Sequence, residues 1–322
     1  MAFSFLNPIF LYGRLREKSY SSGLLKKVKL NAPVVSVGNV QFGGSGKTPF
    51  VMYLLEHFSG KKIAVVSQSY RADLANPEKV DLTAPDFFKK YGDEPALIKS
   101  KFPNVDVWCG PVKWKTAVRA DQSQKYDVII LDDGFTHHKL VRDIDIVLVD
   151  GSRKFSTYQL PPNGRLREPL SALERSDLVL FTKIRTFNEN QSLFNVIEKT
   201  GVDMALVNYE ADKSEIKPNS SYLLFAGIGN FDFFKKNALD NNIEVSQFRQ
   251  FENHCEYSEE KQINLLNDLE KYNLRGLTTT KDRIKFTNSA LINRTDCLRI
   301  KIEMNPQSKS LLEAHLGKIR RE

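Results

Sequence analysis

The chain has 322 residues, 41% hydrophobic and 27% charged, which is the composition of a soluble globular protein with room for one large α/β domain or two smaller ones. Its three cysteines, Cys109, Cys255 and Cys297, lack C-x-x-C spacing, and this argues against a disulfide framework or a zinc site. The formal charge of +8 indicates an anionic partner, which could be nucleic acid, a membrane surface or a phosphorylated substrate.

The N-terminal segment, residues 1–30, combines an apolar run with basic residues. Residues 3–12 are apolar but shorter than the ~20 residues of a membrane-spanning helix, and no secretory cleavage site follows them. Two interpretations stay open: a helix resting on an anionic membrane leaflet, and a helix packed on the core with a charged outer edge. The apolar residues are Phe3, Phe5, Ile9 and Phe10, and the bordering cations are Arg14, Arg16, Lys18, Lys26, Lys27 and Lys29.

Residues 33–49, PVVSVGNVQFGGSGKTP, predict a phosphate-binding loop between a buried strand and a helix. Glycines let backbone N–H groups approach phosphate oxygens, Lys47 reaches the β- and γ-phosphates, and Thr48 offers its hydroxyl to Mg²⁺. The strict Walker pattern is missed, because Gln41 occupies the position of its first glycine. The predicted nucleotide-binding residues are Gly43, Gly44, Ser45, Gly46, Lys47 and Thr48.

Runs rich in Val, Ile and Leu recur between helix-like segments after this loop. Because they do not alternate apolar and polar residues, we expect strands buried on both faces, in a mostly parallel sheet with helices on both sides. This predicts an α/β fold of the P-loop NTPase type, with a smaller C-terminal α/β domain. The predicted domains are residues 31–209 and 221–322, joined by a polar linker at residues 210–220.

Residues 127–134, DVIILDDG, predict an apolar strand that ends in two carboxylates. Beside a P-loop, an aspartate at the carboxyl end of such a strand can hold Mg²⁺, directly or through water. We predict Asp132 as the metal ligand and Asp133 as a second carboxylate near the metal. Taken alone, Asp-Asp-Gly after a strand is an ordinary turn, so the metal interpretation depends on the P-loop.

Residues 92–95, Gly-Asp-Glu-Pro, open a predicted helix with Asp93 as its N-cap. The same carboxylate could accept the proton of an attacking hydroxyl, and the residues alone do not separate the two roles. His254 is an isolated histidine, a residue type that is more often structural than catalytic. At residues 182–185, TKIR, Arg185 stands where guanine-specific GTPases have a base-reading aspartate, and this favours adenine.

With these motifs in order, the chain resembles the tetraacyldisaccharide 4′-kinases, the lipid A 4′-kinases of Gram-negative bacteria. The resemblance covers most of the length, and the family's P-loop also lacks the first Walker glycine. The motifs that carry it are SVGNVQFGGSGKTP, YGDEPALI, DDGFTHHKLVRDIDIVLVD, GRLREPLSAL, FAGIGN, FENHCEYS and TTTKD.

The resemblance implies transfer of the γ-phosphoryl group of ATP, with Mg²⁺, to the 4′-hydroxyl of a tetraacylated, 1-phosphorylated glucosamine disaccharide. It implies that Asp93 accepts the hydroxyl proton with the help of His254, and that closure of the two domains assembles the site. Glu168, in the L-R-E-P motif, becomes a further candidate. The expected catalytic residues are therefore Asp93, His254, Lys47, Asp133 and Glu168.

The resemblance also implies that residues 1–30 associate with the membrane, so we expect a peripheral or monotopic protein on the cytoplasmic side of the inner membrane. No nucleic-acid partner is expected, because no recognised module or basic-aromatic stripe accompanies the positive charge. No obligate protein partner is predicted. The alternative function is a membrane-associated P-loop ATPase that acts as a switch with a protein partner.

Two motifs remain without a firm role. Residues 67–71 read Ser-Gln-Ser-Tyr-Arg where many members of the family read S-R-G-Y-G, so this chain lacks the arginine and the two glycines of that motif. In the TTTKD motif, Thr279, Lys281 and Asp282 receive no predicted role.

Overall fold

A computed structural model of the chain describes residues 15, 17–20, 22–68, 74–84 and 87–319. Two parts of the sequence analysis fall outside the described residues. They are the apolar residues expected to enter a membrane, within 3–12, and residues 69–71 of the motif that differs from the family's S-R-G-Y-G. The described chain forms two compact units. The larger unit contains the described residues up to Asn208 and those from Ile302 onward, and the smaller unit is Tyr209–Lys301.

The helices and strands follow one another along the chain in a mainly alternating order. They are β1 (Val34–Asn39), α1 (Lys47–His57), β2 (Ile63–Ser67), β3 (Glu78–Lys79), α2 (Phe87–Tyr91), α3 (Asp93–Lys101), β4 (Asp106–Cys109), α4 (Lys113–Ser123), β5 (Val128–Asp132), β6 (Ile144–Asp150), β7 (Leu178–Thr182), α5 (Gln191–Glu198), β8 (Asp203–Asp212), β9 (Tyr222–Ala226), α6 (Phe231–Asp240), β10 (Val245–Gln250), α7 (Glu259–Lys271), β11 (Arg275–Thr278), α8 (Thr280–Arg283), α9 (Ser289–Arg294), β12 (Thr295–Cys297), β13 (Arg299–Glu303) and α10 (Pro306–Leu316).

Within the described residues, nine strands form the large sheet in the order β13-β8-β7-β6-β1-β5-β2-β4-β3. The pairs between β8 and β4 are parallel, and β3 is antiparallel to β4. The prediction of a mostly parallel α/β sheet is therefore confirmed. Because the central strands run in one direction, the carboxyl ends of β1, β5, β6 and β7 meet at the same edge, where ligands of such sheets bind.

The central strands are buried along their whole length, since every residue of β1, β5 and β6 is buried. Successive side chains of a strand point to opposite faces. Ala64 and Val66 belong to one apolar cluster, and Val147 and Val149 belong to another. Burial on both faces explains the unbroken apolar runs in the sequence.

The smaller unit has a four-stranded parallel sheet in the order β10-β9-β11-β12. Alternate residues of β9 enter two separate apolar clusters, so this sheet is also covered on both faces. The second α/β unit expected from the sequence is present. The smaller unit contains Cys255 and Cys297 and the larger unit contains Cys109; all three are buried and form no disulfide bond.

The two units differ in two details from the predicted domains, residues 31–209 and 221–322 with a linker at 210–220. β8 extends to Asp212, so the predicted linker begins inside a strand. The C-terminal helix α10 belongs to the larger unit, where Leu312 and Leu316 are buried and the Ser308 hydroxyl accepts a hydrogen bond from the Leu206 N–H at 3.1 Å. Among the described residues, no helix is long and apolar enough to cross a membrane.

Candidate active site

The predicted phosphate loop connects the buried strand β1 to helix α1, which begins at Lys47. Gly43 and Gly46 have φ angles of +110° and +90°, a region that glycine adopts without steric cost. The first N–H groups of an α-helix have no intrahelical acceptor, and the helix dipole favours an anion beside them. The loop therefore has the local geometry of a phosphate site.

Gln41, which replaces the first Walker glycine, is buried and has a definite role in the loop. Its Oε1 accepts a hydrogen bond from the Asp150 N–H at 2.9 Å, at the end of β6. The Asn39 side-chain Nδ2 donates to the Gln41 carbonyl and to the Ser45 hydroxyl, each at 2.8 Å. A glycine could not make the contact with Asp150, so the departure from the Walker pattern fastens the loop to a neighbouring strand.

The end of β7 supports the same loop. The Thr182 hydroxyl donates to the Ser45 carbonyl at 3.2 Å, and the Lys183 Nζ donates to the Gly44 carbonyl at 2.7 Å. Lys183 also pairs with the Asp150 carboxylate at 2.6 Å. Sequence reasoning used this motif to choose between nucleotide bases, whereas the structure shows that Thr182 and Lys183 hold the backbone of the phosphate loop.

Asp132 ends β5, directly beside β1, and its side chain is buried. The Ser67 hydroxyl donates a hydrogen bond to its carboxylate at 3.0 Å. Burial and, after it, the negative charge of Glu94 raise the pKa of Asp132 to about 6. Glu94 is the second residue of α3, so the structure brings the start of that helix and the Asp-Asp pair together.

Asp133 has a positive φ of 58° and two cationic neighbours. Its carboxylate accepts two hydrogen bonds from Arg167, at 2.6 and 2.9 Å, and lies 3.7 Å from the Lys47 Nζ. Burial acts to raise the pKa of Asp133, but the Arg167 hydrogen bonds and the Lys47 charge outweigh it and hold the pKa well below its ordinary value. Asp133 is therefore an ionised partner of the P-loop lysine.

Two basic residues of the site were not among the predicted site residues. The Arg167 Nη2 donates to the Asn39 carbonyl at 3.2 Å and also contacts the Asn39 side chain, which links Asp133 to the end of β1. The buried Lys113 Nζ donates to the carbonyl of Asp132 and, at 2.7 Å, to that of Asp133. Burial lowers the pKa of Lys113. The available signals were the position of Arg167 in the L-R-E-P motif and that of Lys113 at the start of the helix after β4.

Glu168 takes part in a separate ion-pair network. Its carboxylate pairs with Arg175 through Oε2, and its Oε1 lies 3.7 Å from the His138 Nε2. Arg175 in turn pairs with Glu17 at 2.9 Å. Burial raises the pKa of Glu168. These contacts hold Glu168 next to the Asp-Asp loop, and a catalytic role for it stays a prediction.

Asp93 is the first residue of α3 and is half-buried. The sequence predicted it as the N-cap, but the N-cap is Gly92, with a φ of +86°. Glycine adopts this conformation far more easily than aspartate, so the cap falls one residue earlier and Asp93 enters the first turn. Its neighbour Glu94 acts on Asp132, and this places the start of α3 beside the predicted metal ligand.

His254 lies in the smaller unit, on the loop between β10 and α7. Its side chain is exposed, its φ is +61°, and its N–H donates to the Gly227 carbonyl at 3.0 Å. The structure brings Lys47, Asp132 and Asp133 together in the larger unit, whereas His254 belongs to the smaller unit. The pairing of His254 with Asp93 stays a prediction.

The donor atoms near the phosphate loop fit a magnesium ion. Mg²⁺ prefers carboxylate, hydroxyl and phosphate oxygens and is commonly held by one or two carboxylates together with the phosphates of a substrate. The buried carboxylate of Asp132 and the hydroxyl of Thr48 match this donor set. Within the described residues, no group of three or more His, Cys, Asp or Glu side chains is arranged to hold a metal. A magnesium site that uses one carboxylate, one hydroxyl and the phosphates of ATP does not require such a group.

The Arg167→Lys substitution is expected to lower the free energy of unfolding by about 1–3 kcal/mol. Lysine keeps the charge but cannot make the paired contact with Asp133 while reaching the Asn39 carbonyl. Urea denaturation would measure the change. Arg119→Lys, on the exposed face of α4, is the matched control and should stay within about 0.5 kcal/mol of the parent protein. Equal effects of the two substitutions would contradict a structural role for Arg167.

Comparison with known proteins relates nearly the whole chain to a kinase family. The family described as Tetraacyldisaccharide-1-P 4′-kinase matches residues 3–320. The tetraacyldisaccharide 4′-kinase of Bdellovibrio bacteriovorus is 33% identical over 313 residues, which cover 90% of this chain and 92% of the relative. The enzyme of Aquifex aeolicus is 31% identical over 325 residues, which cover 94% of this chain and 95% of the relative.

A solved structure gives the same relation in three dimensions. The crystal structure of the "apo" form of LpxK from Aquifex aeolicus in complex with ATP matches this fold with a TM-score of 0.79 at 29% sequence identity. The match covers 98% of this chain and 97% of the solved chain. Both units therefore take part in the likeness.

Proposed function

The chain belongs to the tetraacyldisaccharide 4′-kinase family and is an ATP-dependent lipid A disaccharide 4′-kinase, and on this premise we propose how its residues carry out the transfer. The reaction moves the γ-phosphoryl group of ATP to the 4′-hydroxyl of an acylated glucosamine disaccharide 1-phosphate. Such transfers leave little covalent chemistry to the protein, so alignment and charge neutralisation supply most of the rate.

The phosphate donor is held by the loop between β1 and α1. The N–H groups of residues 43–48 surround the phosphates, and Lys47 contacts the β- and γ-phosphates. Thr48 and Asp132 would hold Mg²⁺, which when bound neutralises the charge on the transferring phosphoryl group. Asp133, fixed by Arg167, keeps the Lys47 ammonium near the loop before ATP arrives. Lys113 fixes the backbone carbonyls of both aspartates.

The acceptor hydroxyl is activated by Asp93. A carboxylate in the first turn of α3, whose neighbour Glu94 acts on Asp132, stands where a general base would meet the hydroxyl beside the metal. His254 assists Asp93, as the family resemblance implies. The observation that carries the proposal is the convergence of Lys47, Asp132 and the start of α3 at the carboxyl ends of β1 and β5.

The test is to incubate the purified chain with Mg-ATP and an acylated glucosamine disaccharide 1-phosphate. A phosphorylated lipid should form in step with ADP, without nucleic acid or a protein partner in the mixture. The alternative is a P-loop ATPase that acts as a switch. Rapid ATP hydrolysis without a lipid product, stimulated by a protein partner, would support that alternative and reject the proposed kinase mechanism.

A peripheral position on the cytoplasmic face of the inner membrane is part of the proposal. In the described part of the N-terminal segment, Leu24 is 78% exposed and Leu25 is 42% exposed. The exposed Lys26, Lys27 and Lys29 follow them. Apolar side chains beside cations suit a surface that rests on anionic lipid.

Removal of residues 1–18, and separately the double substitution of Leu24 and Leu25 by serine, should each reduce co-sedimentation with liposomes that contain anionic phospholipid. The loss follows from the removed apolar area, at roughly 25 cal/mol per Å². Leu239→Ser, at another exposed leucine (46%) in the smaller unit, is the matched control and should leave binding unchanged. If both altered proteins sediment like the parent, the N-terminal segment is not a membrane contact.

A further inference from the structure

The TTTKD motif, which received no role from the sequence, spans the end of β11 and the first turn of α8 in the smaller unit. Its Asp282 side chain is fully buried. The Asp282 Oδ2 accepts a hydrogen bond from the Thr279 hydroxyl at 2.8 Å and another from the Gly227 N–H at 3.2 Å. One carboxylate oxygen therefore joins the start of α8 to the loop that follows β9.

The peptide groups on either side of Gly227 connect Asp282 to His254. The N–H of Gly227 binds Asp282, and its carbonyl accepts the His254 N–H at 3.0 Å. A side chain at Gly227 has no room, because a Cβ atom would lie 2.7 Å from the Cys255 Cβ and 2.8 Å from the Glu252 carbonyl. The FAGIGN loop thus packs directly against the histidine loop, and Asp282 fixes it from the opposite side.

A local explanation for Asp282 is that it only completes the cap of α8. Thr279 is the N-cap of that helix and accepts the Asp282 N–H at 3.2 Å, which supplies the cap without the Asp282 carboxylate. Burial raises the pKa of Asp282, because a charged carboxylate is less stable in this position than at a solvent-exposed helix cap. The contact with Gly227 is the feature that local capping leaves unexplained.

A second side chain from the same region acts on the histidine loop. The Lys285 Nζ, just after α8, donates to the Cys255 carbonyl at 3.1 Å. The backbone at His254 is itself in the left-handed region, with a φ of +61°, and a non-glycine residue keeps this conformation when its surroundings hold it. The segment that contains Asp282 therefore supports the histidine loop at two points, indirectly through Gly227 and directly at the Cys255 carbonyl.

We infer that Asp282 is a positioning residue for phosphoryl transfer, which holds His254 in place through Gly227. The inference rests on the proposed participation of His254 in the reaction. Asp282 touches neither ATP nor the lipid in this role. It acts through the backbone of the histidine loop, whose displacement by even about 1 Å can cost on the order of 10²-fold in rate.

The Asp282→Ala substitution should lower kcat by about 10-fold to 10²-fold and leave KM for Mg-ATP unchanged, because the ATP site lies in the larger unit. Asp282→Asn, which keeps an acceptor oxygen for the Gly227 N–H, should recover most of the lost kcat. Steady-state kinetics and thermal unfolding would be measured on the same preparations. If the alanine variant does not fold, Asp282→Ser is measured instead, with the same expectation.

Asn288→Ala is the matched control, since it removes the side-chain N-cap of α9, another short helix of the smaller unit, and leaves the contacts of Asp282 with Thr279 and Gly227 in place. It should lower the melting temperature and retain near-normal kcat. If kcat falls equally in both variants, in step with the melting temperature, Asp282 has a structural role alone and the inference is wrong.

A double-mutant comparison separates this inference from the role of His254. His254→Ala should lower kcat by itself, and adding Asp282→Ala to it should cost little more, because both changes remove the same contribution. A full multiplicative loss in the double variant would overturn the inference. If His254→Ala has normal kcat, the proposed role of His254 fails first. If it is impaired while Asp282→Ala is normal, the positioning role alone fails.

Discussion

The Asp93→Ala variant is expected to lose about 10²-fold or more in kcat, within the usual range for removal of a general base, while its affinity for ATP stays near that of the parent protein. The reason is that the proposed base lies at the start of α3, whose Glu94 acts on Asp132, whereas the proposed phosphate site lies at the start of α1. Lipid phosphorylation would give kcat, and titration calorimetry would give the affinity for ATP.

A control must separate catalysis from the stabilising effect of a carboxylate at a helix start, which is worth about 0.3–1 kcal/mol. Glu259 is the first residue of α7 and is exposed, so Glu259→Ala removes a carboxylate from the same helical position in the smaller unit. Both variants should lose similar stability, and Asp93→Ala alone should lose turnover. Near-normal turnover in Asp93→Ala would reject Asp93 as the base.

The Asp132→Asn variant should require a higher Mg²⁺ concentration and lose at least about 10²-fold in kcat/KM for Mg-ATP. The amide can still accept the hydrogen bond from Ser67, so the shape of the site is kept, but the negative charge that favours the cation is removed. Activity measured across a range of Mg²⁺ concentrations, together with ATP binding with and without Mg²⁺, would show the change.

Two aspartates serve as comparisons for Asp132. Asp133→Asn weakens the contacts with Arg167 and Lys47, so it should reduce ATP affinity more than it alters the Mg²⁺ requirement. Asp143→Asn, just before β6, keeps an acceptor for the N–H of Val34 at the start of β1 and should behave like the parent protein. If the Mg²⁺ requirement rises more in Asp133→Asn than in Asp132→Asn, the assignment of the metal ligand to Asp132 is wrong.

The sheet and the glycine-rich loop between β1 and α1 were predictable because their signals are local. A strand buried on both faces must be apolar along its length, and residues 34–39 and 128–131 show this directly. A phosphate loop needs glycines, a lysine and a hydroxyl within a few residues, and residues 43–48 contain them. The predicted N-cap of α3 was wrong by one residue, because Gly92, which has a positive φ, caps the helix in place of Asp93.

The pairings of the basic residues could not be predicted in the same way. Arg167 is 34 residues from its partner Asp133, and Lys183 is 139 residues from the Gly44 carbonyl that it binds. In a chain with 47 Lys and Arg residues, each resembles an ordinary surface cation until the fold buries it. From the L-R-E-P motif the sequence predicts Glu168 as a site residue. In the structure, the residue of this motif that contacts Asp133 is Arg167.

The sequence by itself determined the parallel sheet, the phosphate loop, the order of the motifs and, through them, the family and its reaction. Those features depend on side-chain chemistry and spacing within short segments, which the chain carries before it folds. The tertiary structure decided that Gln41 fastens the loop to β6, that Arg167 and Lys113 hold the two aspartates, and that Asp282 reaches Gly227. These contacts join residues that are distant along the chain, so they exist only once the strands bring their ends to a common edge.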